Sequence, residues 1–431
     1  MSDRPTLFGA ELRRLRIAAG MALSELARRV HYSKGYLSKV ETGLKPAQPD
    51  LARRCDAALD AGGALAALVP APASGVRLPE TGDDGEVWML NLSDDGTSRF
   101  RPMDRRQALA AGAASMLGFG LGGRGMAATA AQPAPLETFR ELFGQLRRLG
   151  QTASPGVVLP TLIAQTHTLR GLSSNAGSRT RGPLLALTAR YAEYAGWMAQ
   201  ESGDDRAALW WTDRAVELAA AGDDHDLATY SLVRRALVTL YREDAAHTVG
   251  LARQAQNTTA PPRIHGLAAQ REAQGHALAG DYDRCLRSLD RARELLARDA
   301  RESEAPVLGT VNLTDPVAMV TGWCLHDLGR PREAAEIMDR EIARLPAHAL
   351  RSHARYGVRR ALSHAGAGEI DHACELTAHL LGSVEVVSSA TVLTDLRRLA
   401  RTLARFHTHP AVRELYPRLT AALHDPTAPT A

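Results

Sequence analysis

"LSELARRVHYSKGYLSKVETGLK", residues 23–45, decides how the first part of this chain folds. It also holds all three lysines, Lys34, Lys39 and Lys45, of a 431-residue protein with 52 basic residues. Its first eight residues, LSELARRV, put Leu26, Ala27 and Val30 on one helical face. HYS (31–33) interrupts the period, and Ser33 is a good cap for a second short helix, KGYLSKVET, with Leu37 and Val40 inward. Gly43 ends it. Two short helices across a tight break form a helix-turn-helix layout.

Working outward, FGAELRRLRIAAG (8–20) reads as a preceding helix with Leu12, Leu15 and Ile17 inward and Gly20 as its stop. A fourth helix follows Pro49-Asp50, with Leu51, Cys55 and Leu59 buried and Gly62-Gly63 stopping it. ALAALV (64–69) then closes a five-helix bundle over residues 1–70. This segment holds 11 basic and 7 acidic residues, whereas the remainder holds 41 of each, so the whole net charge of +4 lies here. A small basic domain on a neutral body is the electrostatic footprint of a nucleic-acid reader.

The stretch from Leu12 to Ala52 resembles the Cro/cI (XRE) helix-turn-helix family, whose domain is lambda-repressor-like. Leu26, Val30, Tyr32, Leu37 and Val40 fall on the family's buried positions, Ala27 on the small residue at the helix crossing, and Glu41-Thr42-Gly43 on the closing E-x-G. The resemblance implies a structural ion pair between Arg16 and Glu41. Two positions depart from the pattern. His31 replaces the usual turn glycine and must carry a left-handed backbone, and Leu23 replaces a phosphate-binding glutamine.

The same resemblance places the lysines. It implies that Ser33, Lys34, Gly35, Ser38, Lys39 and Thr42 meet base edges in the major groove. Lys34 and Lys39 flank a strip containing Ser38, and a lysine can donate to guanine O6 and N7. Tyr36 is placed for phosphate or sugar, and Lys45, Arg13, Arg28 and Arg29 for the phosphate backbone. The expected partner is double-stranded DNA, read at an inverted repeat by a homodimer, because one such domain covers few base pairs.

Residues 71–135 read as a connector. PAPASG is a Pro/Ala linker, and EVWMLNLSDDGTSRF (86–100) a short β-hairpin about Asp94-Asp95-Gly96, with Trp88 packing. Arg105-Arg106 before the Gly/Ala-rich run that reaches residue 129 imitates an export signal, but it lies a hundred residues in and is weakly hydrophobic. A small-residue helix and hinge is the expected structure, with no membrane role.

Residues 136–424 repeat. ARYAEYAGWMAQESGDDRAALWWTDRAVELA (189–219) and AAQREAQGHALAGDYDRCLRSLDRARELL (268–296) share one plan: a helix, a Gly-Asp turn, and a second helix with Ala or Cys at the crossing. Similar turns fall near 203, 243, 280, 329 and 368, which predicts a stack of helix pairs. "GDYDRCL", "GRPREAA" and Pro346 resemble the tetratricopeptide (TPR) family over roughly 180–385. The overall expectation is an all-α protein ending in a TPR-like α-solenoid, with a disordered tail at 425–431. The resemblance implies that the array senses a peptide, a small molecule or a protein partner and dimerises. SVEVVSSATVL (383–393) is expected to begin the last long helix.

Scattered Cys55, Cys285, Cys324 and Cys374 fit reduced thiols in a cytoplasm. Fourteen of fifteen histidines lie beyond residue 136, including His372, His379, His407 and His409, and are expected to be solvated rather than metal-bound. Trp197, Trp210, Trp211 and Trp323 are expected to fill helix-pair cores, and no asparagine stands where it could clamp a peptide. No phosphate loop, nucleophile elbow or zinc-hydrolase motif occurs, so no enzyme and no cofactor are expected. The expected function is a sequence-specific transcriptional regulator. The alternative is a TPR-type adaptor whose helix-turn-helix only packs against something.

Overall fold

The computed structural model describes residues 7–69, 87–92, 98–103, 136–298 and 307–424. Helices α1 (Leu7–Ala18), α2 (Leu23–Arg29), α3 (Lys34–Glu41) and α4 (Pro49–Leu59) and a 3-10 turn, Ala66–Leu68, form the N-terminal bundle. Leu12, Leu26, Leu37, Val40, Leu51 and Cys55 are fully buried at its centre. Gly9 is the point where α1 crosses α3, since a Cβ there would lie 2.5 Å from the Val40 carbonyl oxygen. Ile17, expected inward, is instead 60% exposed. The buried stripe of α1 runs through Phe8 and Leu12 to Leu15, and Ile17 sits about 200° around from Leu15. Helix α4 stops at Asp60, in the left-handed conformation, before the two glycines are reached. Asp56 accepts from the Leu65 and Ala66 amides and folds the last turn back onto α4.

Strands β1 (Val87–Leu92) and β2 (Ser98–Met103) pair antiparallel, Leu92 opposite Ser98 and Val87 opposite Met103, so the expected hairpin runs three residues further than its sequence signal. The Pro/Ala linker, the twin-arginine and Gly/Ala segment, Trp88's packing and the 425–431 tail lie outside the described residues or side chains. Among the described residues no helix is long and apolar enough to cross a membrane.

The rest is a stack of helices. After α5 (Leu136–Thr152) and α6 (Pro155–Asn175) come five antiparallel pairs. These are α7 (Ser178–Glu201) with α8 (Asp205–Ala221), α9 (Asp226–Tyr241) with α10 (Ala245–Gln256), and α11 (Pro262–Ala279) with α12 (Tyr282–Ala297). The last two are α13 (Pro316–Asp327) with α14 (Pro331–Ile342) and α15 (Leu350–Ala367) with α16 (Ile370–Val387). Helices α17 (Ala390–Leu403) and α18 (Pro410–His424) close the stack.

Each pair repeats one backbone device. The residues between the two helices, Gly203, Glu243, Gly280, Gly329 and Gly368, all take positive φ, between 58° and 88°. Glycine makes this inexpensive; Glu243, in the degenerate second repeat, pays the Cβ strain. Asp204, Asp244 and Asp281 follow three of these turns and accept from the amides of Ala207, His247 and Arg284, capping the second helices. A small residue stands seven positions before every turn and another five after it. The pairs are Gly196 with Ala208, Ala236 with Thr248, Ala273 with Cys285, Gly322 with Ala334, and Ala361 with Ala373, all buried. At Gly196 a Cβ would lie 3.2 Å from the Ala208 oxygen and from Trp211 Cβ, so the helices nearly touch.

Buried charge closes the stack on itself. Glu201, 1% exposed at the end of α7, accepts from Arg351 (2.9 Å), Ser389 (2.6 Å) and Thr391 (2.9 Å), residues 150 to 190 positions away. Arg351 also donates to the Gly150 and Ala153 carbonyls, tying α5 between the first and last repeats. The 383–393 run is therefore a junction, with the end of one helix before the start of the next. Helix α16 ends at Val387, Ser388 turns left-handed, and the buried Ser389 hydroxyl caps α17 through the Val392 amide. His276, His326 and His364, expected in solvent, are 5–7% exposed, because each sits just before a repeat turn beneath its neighbouring helices. Trp211 and Trp323 are buried as expected, while Trp197 and Trp210 are only partly so.

Glu201→Gln leaves Arg351 buried without a full counter-charge and is expected to cost about 3–5 kcal/mol, read by chemical denaturation. Burial pushes the Glu201 carboxyl up, but Arg355, Arg351, Ser389 and Thr391 outweigh it and hold the group below its usual 4.5. Its contribution is therefore complete above that value and lost as pH falls through the lower folded value; a wild-type minus Gln difference that stays flat in acid would contradict this.

Candidate nucleic-acid interface

Helix α3 starts where a side chain satisfies its first amides. Ser33, in extended backbone, accepts from the Tyr36 amide at 3.1 Å. The residue before the break, His31, carries φ 54°, the left-handed value a helix-turn-helix needs and one glycine would supply more easily. Arg16 Nε donates to Glu41 Oε1 at 2.7 Å and Nη2 to Oε2 at 3.1 Å, a two-pronged bond anchoring the end of α3 to α1. Arg16 also donates to the Met21 carbonyl.

The outward side of α3 is open. Ser33, Lys34, Gly35, Ser38, Lys39 and Thr42 are exposed, and a Cβ added at Gly35 would meet nothing within 4 Å. Lys34 and Lys39 have no carboxylate partner among the described residues. Thr42 is less available, since its hydroxyl donates back to the Ser38 carbonyl at 2.9 Å. Tyr36 lies half-buried with its ring 5.4 Å from that of Tyr32, and the Lys45 ammonium rests 5.4 Å above the Tyr36 ring. Arg13 and Arg28 are exposed without an acidic partner among the described residues, whereas Arg29 is paired with Glu25 at 2.8 Å.

The opposite side of the bundle is docked on the helical array, through the repeat turns themselves. Gly63 sits against the Gly280 turn: a Cβ at Gly63 would be 2.9 Å from the Gly280 oxygen. The backbone of α4 sits against the next turn, where a Cβ on Gly329 would lie 2.6 Å from the Arg53 oxygen. His31 covers the third, where a Cβ on Gly368 would lie 2.7 Å from its ring. Arg54, 4% exposed, donates to the Gly366 carbonyl at 3.1 Å while held by Asp50 at 3.1 Å. Arg405 of the array lies 4.4 Å over the Tyr32 ring, whose hydroxyl donates to Asp50. Burial beside Asp50 pushes the Tyr32 hydroxyl up to about 12, so it stays a donor.

Residues 7–69 match the family model of a helix-turn-helix domain. This domain implies DNA binding. No curated protein and no solved structure matches the chain. Among the described residues no group of three or more His, Cys, Asp or Glu is arranged to hold a metal ion.

The sequence reading missed the docking residues. For α4 only Leu51, Cys55 and Leu59 were expected to be buried, and Arg54 and Asp50 drew no expectation.

Gly368→Ala forces a side chain to φ +88° and drives a methyl into His31, at an expected cost of about 1–3 kcal/mol. Adding His31→Ala should recover the clash but not the backbone strain, so the pair is expected to be non-additive in a double-mutant cycle. Burial, then Arg54, Arg405 and Arg332, hold the His31 imidazole below its usual 6.5. The undocked imidazole takes its proton first, so docking weakens as pH falls below about 6.5. Lower protection of α4 amides in acid, after correction for the intrinsic exchange rate, is the expected signature, and His31→Ala should reduce it.

Proposed function

We propose that the protein is a sequence-specific, DNA-binding transcriptional regulator of the Cro/cI (XRE) type that acts in the cytoplasm as a homodimer on an inverted repeat. Its helical array, TPR-like in layout, is the regulatory body, responding to a peptide, a small molecule or a protein partner. On this reading the chain catalyses no reaction and needs no metal or cofactor. The carrying observation is the division of labour around α3. Its Lys34–Ser38–Lys39 side faces solvent while α4, His31 and the last turn are held by the array. The adaptor alternative, a helix-turn-helix that only packs against something, leaves the exposed Lys34–Ser38–Lys39 side without a role.

Lys34 and Lys39 read bases as donors, Ser38 between them, and Gly35 lets the backbone approach. Lys45, Arg13 and Arg28 supply phosphate contacts, with Arg29 shared with Glu25 and Tyr36 positioning Lys45. The experiment is site selection from random duplexes with the full-length protein, followed by titration at several salt concentrations. An inverted motif and a steep salt dependence are expected. Lys39→Ala is expected to weaken the selected site by about 1–3 kcal/mol and random DNA much less. Equal losses on both would reduce Lys39 to a phosphate contact, and no retained sequence at low salt would end the proposal.

A further inference from the structure

The inner wall of the array forms a part-open cavity of about 360 Å³, within the range of about 300–1,000 Å³ typical of small-molecule sites. Its lining follows the repeat. Counting back from the small crossing residue of each first helix, positions six and two are Arg190 and Tyr194, Tyr230 and Arg234, Leu267 and Arg271, and Pro316 and Val320, with Arg355 at the sixth place of the last repeat. These positions are one helical turn apart, so each first helix contributes two stacked side chains to the same chamber.

The chemistry of this wall is one-sided. Arg190 is matched by Asp224 at 2.7 Å and Arg234 by Glu193 at 3.3 Å. Arg351 and Arg355 share the single carboxylate of Glu201, at 2.9 and 3.9 Å. Three further guanidiniums on the wall, those of Arg147, Arg148 and Arg271, have no carboxylate partner among the described residues. Seven guanidiniums thus face three carboxylates. Among the described residues Arg271 bonds only to the Gln274 side-chain oxygen, and its Nε, like Nε2 of the 2%-exposed Gln270 beside it, is buried without an acceptor. Desolvation holds the Arg271 guanidinium below its ordinary value, the expected cost of a cation with no counter-charge. It stays charged at neutral pH.

Apolar surface completes the chamber. The rings of Tyr194 and Tyr230 line it at 4–5% exposure, with Trp197 and Leu267 alongside. Residues 307–313 line it as a strap held to the wall. Arg147 donates to the Val307 and Gly309 carbonyls at 2.9 and 2.8 Å, and Arg263 to those of Leu308 and Thr310. Leu308, 7% exposed, packs into the core and fastens the strap.

We infer that this cavity binds a small organic anion, a carboxylate or phosphate monoester on a flat apolar body, with Arg271 and Gln270 as its principal donors. The inference rests on reading the array as a regulatory body and adds the ligand's chemistry. A planar aryl group suits the tyrosine and tryptophan walls.

The test is isothermal titration of the full-length protein, without DNA, against four near-isosteric probes. These are 2-naphthoate, 2-naphthyl phosphate, the neutral 2-naphthamide and the cationic 2-naphthamidine. At least one anion is expected to bind at a single site at least tenfold more tightly than the amide, with no detectable binding of the amidine. The two anions rank carboxylate against phosphate. Arg271→Gln is expected to weaken the preferred anion at least tenfold, with Arg271→Lys between. Should Arg271→Gln not fold, Arg148→Glu, an exposed change at the wall, is expected to weaken the anion while leaving the melting temperature unchanged. Equal binding of amide and anion, no anion binding, or unchanged affinity in every folded variant overturns the inference. Anion binding with failed DNA selection would remove the regulator reading and leave the site standing; the converse would remove only the site.

Discussion

The carboxylate of Glu201 is the keystone of this molecule. It is buried at the end of the first repeat's first helix, yet three of its partners come from the last repeat and from the junction that follows it. A row of helix pairs with small residues at every crossing would otherwise be an open ribbon, since each pair touches only its neighbours. The bonds of Arg351, Ser389 and Thr391 turn the ribbon into a closed body, and α5 is locked in place by the same arginine. Closure gives the stack an inside, where the guanidinium-rich cavity lies, and an edge, where the turns line up and the DNA-binding domain sits. Arg359 reinforces it, bridging Asp395 and Asp327 with its guanidinium 3.5 Å over the ring of Trp323.

What could be read in the sequence was local. Ser33 as a cap and the turns near 203, 280, 329 and 368 follow from residue type and spacing, while the left-handed bend at His31 came from the family resemblance. The solvent-facing character of Lys34, Ser38 and Lys39 was equally legible, because Leu37 and Val40 fix which way α3 faces. Long-range features were not. Ile17 was placed inward because a short helix tolerates two phases of its apolar stripe. The junction after Val387 was hidden because a run rich in β-branched residues, with Glu385 its single charge, contains no obvious breaker, and its signal was a serine hydroxyl. Arg190, Arg234, Arg271 and Arg355 of the inner wall show their shared place only when the repeats are aligned on their crossing residues.

A packed route joins the cavity to the DNA-binding domain. Arg355, on the wall, donates to Tyr241, whose ring stacks edge-on against Trp323. Tyr356, also on the wall, meets the same tryptophan. Trp323 lies under Arg359, Arg359 binds Asp327, and two residues on is the Gly329 turn against which Arg53 rests. His326, in this route, is buried and neutral, its imidazole pushed down to about 3 by desolvation. Contiguity supplies the medium; a ligand biases the equilibrium only by favouring one arrangement of it over another.

The three turn glycines under the DNA-binding domain belong to three successive repeats, and this has a geometric consequence. A body resting on one repeat would ride along with it unchanged. A tripod with a foot on each of three repeats cannot follow a torsion of the staircase without lifting a foot or tilting. The pitch of the stack and the inclination of the lysine-bearing helix are thereby a single mechanical coordinate.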